Sequence, residues 1–310
     1  MHRYRKPVQR IDWAASAYAP RLLPLGLLRG VSLDMVLTTT NGIAAALTNY
    51  DLAKVIDRLT VKLSGQDDIY VMPGYHLNQM NYYDYTQACF STIDTAAGAG
   101  KTQKICLWLP FALVRAAMAK DTLLDARNLD ANKRVTSIEL GIDFAAAAIG
   151  TDVTVTSGYI NLNASLYDKV EAGFKTGRHE FSYIKADLSS VGEINVKLPY
   201  GGQNEYRRLF IYTFDNAGAL SDTQVSQFQL QAGTYSWDKI THDQLKADNN
   251  NQFSLTPDTG VYVLDLVTDG RMTERLFASN LTDELLLTVT SAVTNGTIEI
   301  VAEKVIGAAF

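Results

Sequence analysis

This chain repeats itself. In one half it runs Leu124-Asp125-Ala126-Arg127-Asn128-Leu129, a strand-like stretch, then Gly150-Thr151-Asp152-Val153-Thr154-Val155. In the other half it runs Leu276-Phe277-Ala278-Ser279-Asn280-Leu281, a strand-like stretch, then Gly296-Thr297-Ile298-Glu299-Ile300-Val301. The echo extends upstream. Ile56, Leu59, Val61, Leu63 and Gly65 match Val225, Phe228, Leu230 and Gly233. A helix-like stretch follows each, from Gly74 to about Tyr85 and from Asp238 to about Asp248, and then an apolar strand, Ile105–Leu109 or Val261–Leu266. The order is kept, and the offset shrinks along the chain as deletions in the second copy would make it. Self-similarity on this scale is one duplicated domain, because a solenoid would repeat at a much shorter period.

The pattern within each copy is β. Val31 to Thr38 alternates and stops at Asn41-Gly42, a strong turn pair. Val55 to Leu63 does the same and stops at Gly65, and Ile69 to Met72 closes at Pro73-Gly74. Further strand-like runs follow at Cys89–Ile93, Lys104–Leu109, Val135–Ile142 and Val153–Leu162, with Phe111 to Ala119 as a helical excursion in a loop. Short strands separated by regular turn signals describe a sandwich. The chain length of 310 residues suits about two ordinary domains. The reading divides the chain into an N-terminal arm (1–20), a first sandwich (21–162), a connection (163–189) and a second sandwich (190–310).

The arm stands apart in charge. Lys+Arg is 28 and Asp+Glu is 33, a net charge of -5. That balance argues against a specific grip on nucleic acid, which needs concentrated positive charge. Yet Arg3, Arg5, Lys6, Arg10 and Arg21 face only Asp12. Ile11, Trp13, Ala14, Ala17 and Tyr18 can share one face of a short helix ended by Pro20. Basic residues with Trp13 and Tyr18 at headgroup level are the chemistry of contact with anionic lipid. No run has the length of a membrane-spanning helix, and Pro7, Gln9, Arg10 and Asp12 interrupt any signal-peptide core, so the expectation is a soluble or peripheral protein.

Catalytic vocabulary is thin. His2, His76, His179 and His242 form no HxH, HxxxH or HExxH pair, and His76 and His242 fall at similar places in the two repeats, as packing or capping residues would. Gly98-Ala99-Gly100-Lys101-Thr102 lacks the spacing of a phosphate loop and reads as a hairpin turn. Cys89 and Cys106 flank that turn as cross-strand neighbours would, and read as two reduced thiols. Asp215, Asn216 and Asp222 group oxygen ligands around Gly218 and make the calcium candidate of this chain, but the loop lacks the twelve-residue pattern and its terminal Glu, so a polar turn without a cofactor is the expectation.

The run Lys120-Asp121-Thr122-Leu123-Leu124-Asp125-Ala126-Arg127-Asn128-Leu129 with Gly150-Thr151 resembles the first-domain ending of double jelly-roll major capsid proteins, the coats of tailless icosahedral bacteriophages that enclose a membrane. Phe210–Asn216, Gly260–Asp265 and Leu22-Leu23-Pro24-Leu25-Gly26 are similar to stretches of the same family. The resemblance implies an all-β chain of two eight-stranded jelly rolls side by side, without enzyme activity. It implies a homotrimer of pseudo-sixfold outline that tiles a virion shell assembled in the host cytoplasm. Partners would be neighbouring trimers, penton and minor membrane proteins, and an internal membrane reached by the arm through Arg3, Arg5, Lys6, Arg10, Trp13 and Tyr18.

Two rival classes share the sandwich. A tandem carbohydrate-binding or receptor-binding module would also lack a catalytic site, but it wants exposed Trp platforms, and only Trp13, Trp108 and Trp237 occur. An enzyme on a double-barrel scaffold would want a His-rich metal cluster that four scattered His do not supply.

Overall fold

The computed structural model describes residues 3–65, 67–112, 124–125, 135–168, 178–201, 204–267, 276, 278, 281 and 283–306. Its contacts divide the chain into two units, Met1–His179 and Glu180–Ala308.

The first unit is built on β1 (Arg3–Asp12), β2 (Tyr18–Leu23), β3 (Leu27–Ala46), β4 (Ile56–Leu63), β5 (Asp67–Met72), β6 (Gly98–Pro110), β7 (Ile138–Phe144) and β8 (Thr151–Tyr167). Antiparallel pairing orders one sheet β1-β8-β3-β6 and the other β5-β4-β7-β2. Helix α1 (Asn49–Ala53) precedes β4, and α2 (Gly74–Tyr85) precedes β6.

The second unit uses β9 (Arg178–Leu188), β10 (Gly192–Leu198), β11 (Tyr206–Phe214), β12 (Val225–Ala232), β13 (Tyr235–Ser236), β14 (Val261–Asp265), β15 (Leu285–Ser291) and β16 (Gly296–Ile306), with α3 (His242–Phe253) before β14. Its sheets run β9-β16-β11-β14 and β13-β12-β15-β10. Each strand number is the first unit's plus eight, so the two units share one strand order. Most successive strands cross from one sheet to the other, which is the jelly-roll arrangement.

The echoed residues fall on equivalent elements. Gly65 and Gly233 close β4 and β12, each with positive φ (73° and 57°), a conformation that costs glycine nothing. A Cβ on Gly233 would also meet the Asp283 carboxylate at 2.3 Å. Gly150-Thr151 leads into β8 and Gly296-Thr297 opens β16, the last strand of each unit. The matching Leu124–Leu129 and Leu276–Leu281 stretches lie mostly outside the described residues, as do most of Phe111–Ala119 and of the run Lys120–Leu129.

Alternation explains the cores. In β3, Leu33, Met35 and Leu37 are buried while Ser32, Asp34 and Val36 are only partly so. Leu59 and Val61 of β4 and Leu140 and Ile142 of β7 are fully buried in the opposing sheet. In the second unit, Leu209 and Ile211 of β11 and Ile298 and Ile300 of β16 share one cluster with Phe228 and Leu230 of β12 and Leu287 and Val289 of β15. Both sheets contribute, as a sandwich requires.

Several expectations are corrected. Residues 3–12 are a strand and Tyr18 opens the next, so Ile11, Trp13, Ala14, Ala17 and Tyr18 share no helix. Pro7 lies within the run, where a helix would lose a hydrogen bond and clash, whereas an end strand tolerates it. Arg3 to Val8 pair with Tyr167 to Leu162 of β8, and a bulge before Ile11 resets the register. The supposed connection is shorter than 163–189. Asn163–Tyr167 finish β8 and Arg178–Leu188 form β9, and residues 169–177 between them lie outside the described residues. Gly98–Gly100 begin β6 instead of making a hairpin turn. Cys89 is not in a strand, and the short strand after it is only Ser91–Thr92.

Candidate functional surface

The titratable residues are dispersed. Among the described residues no three of His, Cys, Asp and Glu converge as a metal site. His76 is buried at the third position of α2, edge-on to Tyr75 at 4.2 Å between ring centroids. His179 is buried with its Nδ1 3.3 Å from the Tyr70 hydroxyl. His242 is the first residue of α3, with Nδ1 3.6 Å from Asp243. His2 lies outside the described residues. Cys89 and Cys106 are free thiols. Burial pushes both up to about 12, and at Cys106 the hydrogen bond to Asp34 Oδ1 (2.8 Å) adds to it, so neither is primed as a nucleophile at neutral pH.

The calcium candidates have other duties. Asp215 Oδ1 accepts from the N–H groups of Ala217 and Ala219, both at 2.9 Å, and so closes its own turn. Asp222 accepts from Lys246 Nζ, the Gly260 N–H (2.7 Å) and the Tyr262 hydroxyl (2.9 Å). Burial alone would raise the Asp222 carboxyl, but these three donors outweigh it and hold the group below the ordinary carboxylate range. The two carboxylates serve as separate local ties.

The second unit does bury charge. Glu303 on β16 is fully enclosed and accepts from Arg207 Nη1 (2.7 Å) and from Arg208 Nε. Neighbouring residues of a strand normally point to opposite faces. Here the register shifts between Tyr206 and Arg208, and that bulge brings both guanidinium groups to one carboxylate. Lys304 then reaches Glu180 at 3.5 Å. This cluster is enclosed and serves the second unit's frame.

What remains open is a flank. β1 and β2 end their respective sheets and lie side by side. Arg21 links them, its Nε and Nη2 each donating to the Arg10 carbonyl at 3.2 Å. Arg3, Tyr4, Arg5, Lys6, Pro7 and Arg10 are exposed, and only Ile11 of β1 is buried. Arg3 Nε donates to Ser165 Oγ (3.1 Å), and Arg10 pairs with Asp12 (2.8 Å) and covers the Tyr159 ring at 4.7 Å. Trp13 is half-buried: its backbone N–H donates to the Gly158 carbonyl and its indole Nε1 is buried. Tyr18 donates to Glu139 (3.1 Å), and burial, with that carboxylate, raises its hydroxyl pKa. The six arm residues therefore divide: Arg3, Arg5, Lys6 and Arg10 stay at the surface, Tyr18 is exposed but tied across β2 and β7, and Trp13 is half-buried.

One pair of residues escaped the sequence reading. Asn81 on α2 donates to the Trp108 carbonyl (2.8 Å) and accepts the Trp108 N–H (2.7 Å). Asn249 on α3 does the same with Val263, at 2.7 and 2.8 Å. Each is the eighth residue of its helix, and each amide mimics a peptide unit against β6 or β14. The signal was present, since the two helices align on these asparagines and not on His76 and His242, which stand at the third and first positions.

The family model for the viral coat protein P2 C-terminal domain matches residues 179–307. No curated protein sequence matches the chain. Among solved structures, the STIV major capsid protein is 13% identical with a TM-score of 0.77, over 99% of this chain and 98% of that one. The major capsid protein P2 of bacteriophage PM2 is 14% identical with a TM-score of 0.63, over 99% and 98%. PBCV-1 VP54 is 10% identical with a TM-score of 0.68, over 98% and 94%. All three are double jelly-roll capsid proteins. At such identities the likeness is one of fold, and this chain has the double jelly-roll fold from end to end.

Proposed function

We infer that this chain is a major capsid protein, the repeating subunit of an icosahedral virion shell. The observation that carries the reading is the same eight-strand order twice in one chain. A duplicated unit lets three chains present six like units, which suits a pseudo-hexagonal tile. The match of the second unit to a viral coat domain supports it. The role is structural, with other copies of the chain as its principal partners. A homotrimer is the form proposed, because a shell subunit must bury much of its flank against its own kind, and such interfaces commonly exceed ~2,000 Å². Penton and minor membrane proteins complete the proposed partners, and the virion the proposed location.

Contact with an internal membrane is proposed at the amino end of β1. Arg3, Arg5 and Lys6 are exposed there, and each cation beside an anionic leaflet adds about 1 kcal/mol. The contact would be made by a docked strand, not by a free arm.

Light scattering of the purified protein tests the reading. A particle of three times the 34.1 kDa chain mass is expected. A stable monomer at micromolar concentration, above all one with glycan affinity, would favour the carbohydrate-binding reading instead.

A further inference from the structure

Two open flanks of this molecule complement each other. The first is the β1–β2 flank. Neither strand has a partner on its outer edge among the described residues, and long unpaired edges are a liability that proteins cover. β2 exposes Tyr18, Pro20 and Leu22 on one face, with Leu22 at 67% and the following Leu25 at 50% exposed. Arg10 and Arg21 bring positive charge to this flank, beside the carboxylates of Asp12 and Glu139.

The second flank lies beside β14, the end strand of its sheet. The duplication says how such an edge looks when closed. In the first unit, the outer edge of β6 carries Ser91–Thr92 as an added strand, and α2 is buried along most of its length. In the second unit no strand among the described residues pairs with the outer edge of β14, where the Asn249 amide caps Val263, and α3 buries only Leu245, Asn249 and Phe253. A groove of about 560 Å³ is left there, walled by Leu230, Trp237, Ile240, Leu264 and Leu266. Asp238 and Asp248 stand exposed at the groove, while Lys239 is held by Glu193.

We propose that this groove receives the β1–β2 flank of a second copy of the chain, a deepening that rests on the trimer reading above. The exposed apolar face of β2 would leave water against Trp237, Leu264 and Leu266, and the basic residues would meet the acidic rim. The two patches differ, so the contact is head-to-tail, and a head-to-tail contact that closes makes a ring. Each copy offers one flank and one groove, and three copies close it.

Two exposed substitutions separate the halves. Leu22→Asp spoils the flank and leaves the groove intact. Ala247→Arg, on the exposed face of α3 at the groove, spoils the groove and leaves the flank intact. Both side chains face solvent, so each variant should unfold at the wild-type temperature of the dissociated chain. Each alone is expected to run as a monomer by light scattering. Mixed at high micromolar concentration they should form a one-to-one complex that stops at two chains, since one good contact remains. If both variants keep the wild-type trimer mass, the assigned surfaces are wrong while the trimer stands. If the mixture does not pair, the head-to-tail contact is wrong. If the groove stays accessible in the trimer and takes up a soluble glycan, it is a ligand site and not an interface. A monomeric wild-type protein would overturn the trimer reading beneath all of these.

Discussion

At the scale of single residues, Glu303 has the most at stake. Its carboxylate is wholly enclosed and accepts from two guanidinium groups that the β11 bulge brings together. Removing one partner of a buried ion pair strands the other charge, at a cost of about 3–5 kcal/mol. Glu303→Ala should therefore lower stability by that amount in urea unfolding, and a loss below 1 kcal/mol would mean that the pair is dispensable. Asp222 gives a pH signature. Its folded pKa is depressed, so its contribution is complete above the unfolded carboxylate's value of about 4 and fades as pH falls through the lower folded value. The slope of stability against pH below about pH 4 should flatten in Asp222→Asn, and an unchanged slope would show that other carboxylates govern acid unfolding. Neither role was legible locally. Asp222 reads as part of a polar turn whose partners Lys246 and Tyr262 stand far along the chain, and a bulge that unites two arginines leaves no mark on sequence spacing.

Among the elements, the helix–edge lock is the device used twice. An edge strand needs partners for its outward N–H and C=O groups, and one asparagine amide supplies both. Asn249→Ala should cost about 2–3 kcal/mol, because it leaves the Val263 groups unpaired inside the protein. Asn249→Asp should be no better, since a carboxylate cannot donate to the Val263 carbonyl. Full stability of the aspartate variant, measured by thermal unfolding, would refute the lock. The strands themselves were largely readable: β3, β4, β6 and β16 follow alternation and end at glycine turns. β1 was not. The helical spacing that runs from Ile11 through Ala14 to Tyr18 was a local pattern, and β8, more than a hundred residues distant, satisfies the backbone of Arg3 to Val8 instead. Deleting residues 2–13 would thus strip a strand from its sheet and expose β8, which makes truncation a poor probe of any surface role.

For the whole molecule, the basic end of β1 is better probed by charge alone. Replacing Arg3, Arg5 and Lys6 together with serine leaves the β1 ladder in place. It should weaken binding to anionic vesicles by about 3 kcal/mol per chain at low salt, with raised salt mimicking the loss in the unmodified protein. Equal binding by both proteins would remove the membrane role and leave the fold untouched. The sequence by itself determined the class of this protein: all-β, duplicated, its glycine turns and apolar alternation copied in order. These are local properties, since alternation decides which face of a strand is buried and a positive φ decides where the chain turns. The tertiary structure alone decided which strand lies beside which, that the basic amino end is a strand, that Asp222 ties Lys246 and Tyr262 together, and which flanks are left open. Those depend on partners distant in the chain, and an edge is an edge only once every other strand has found its place.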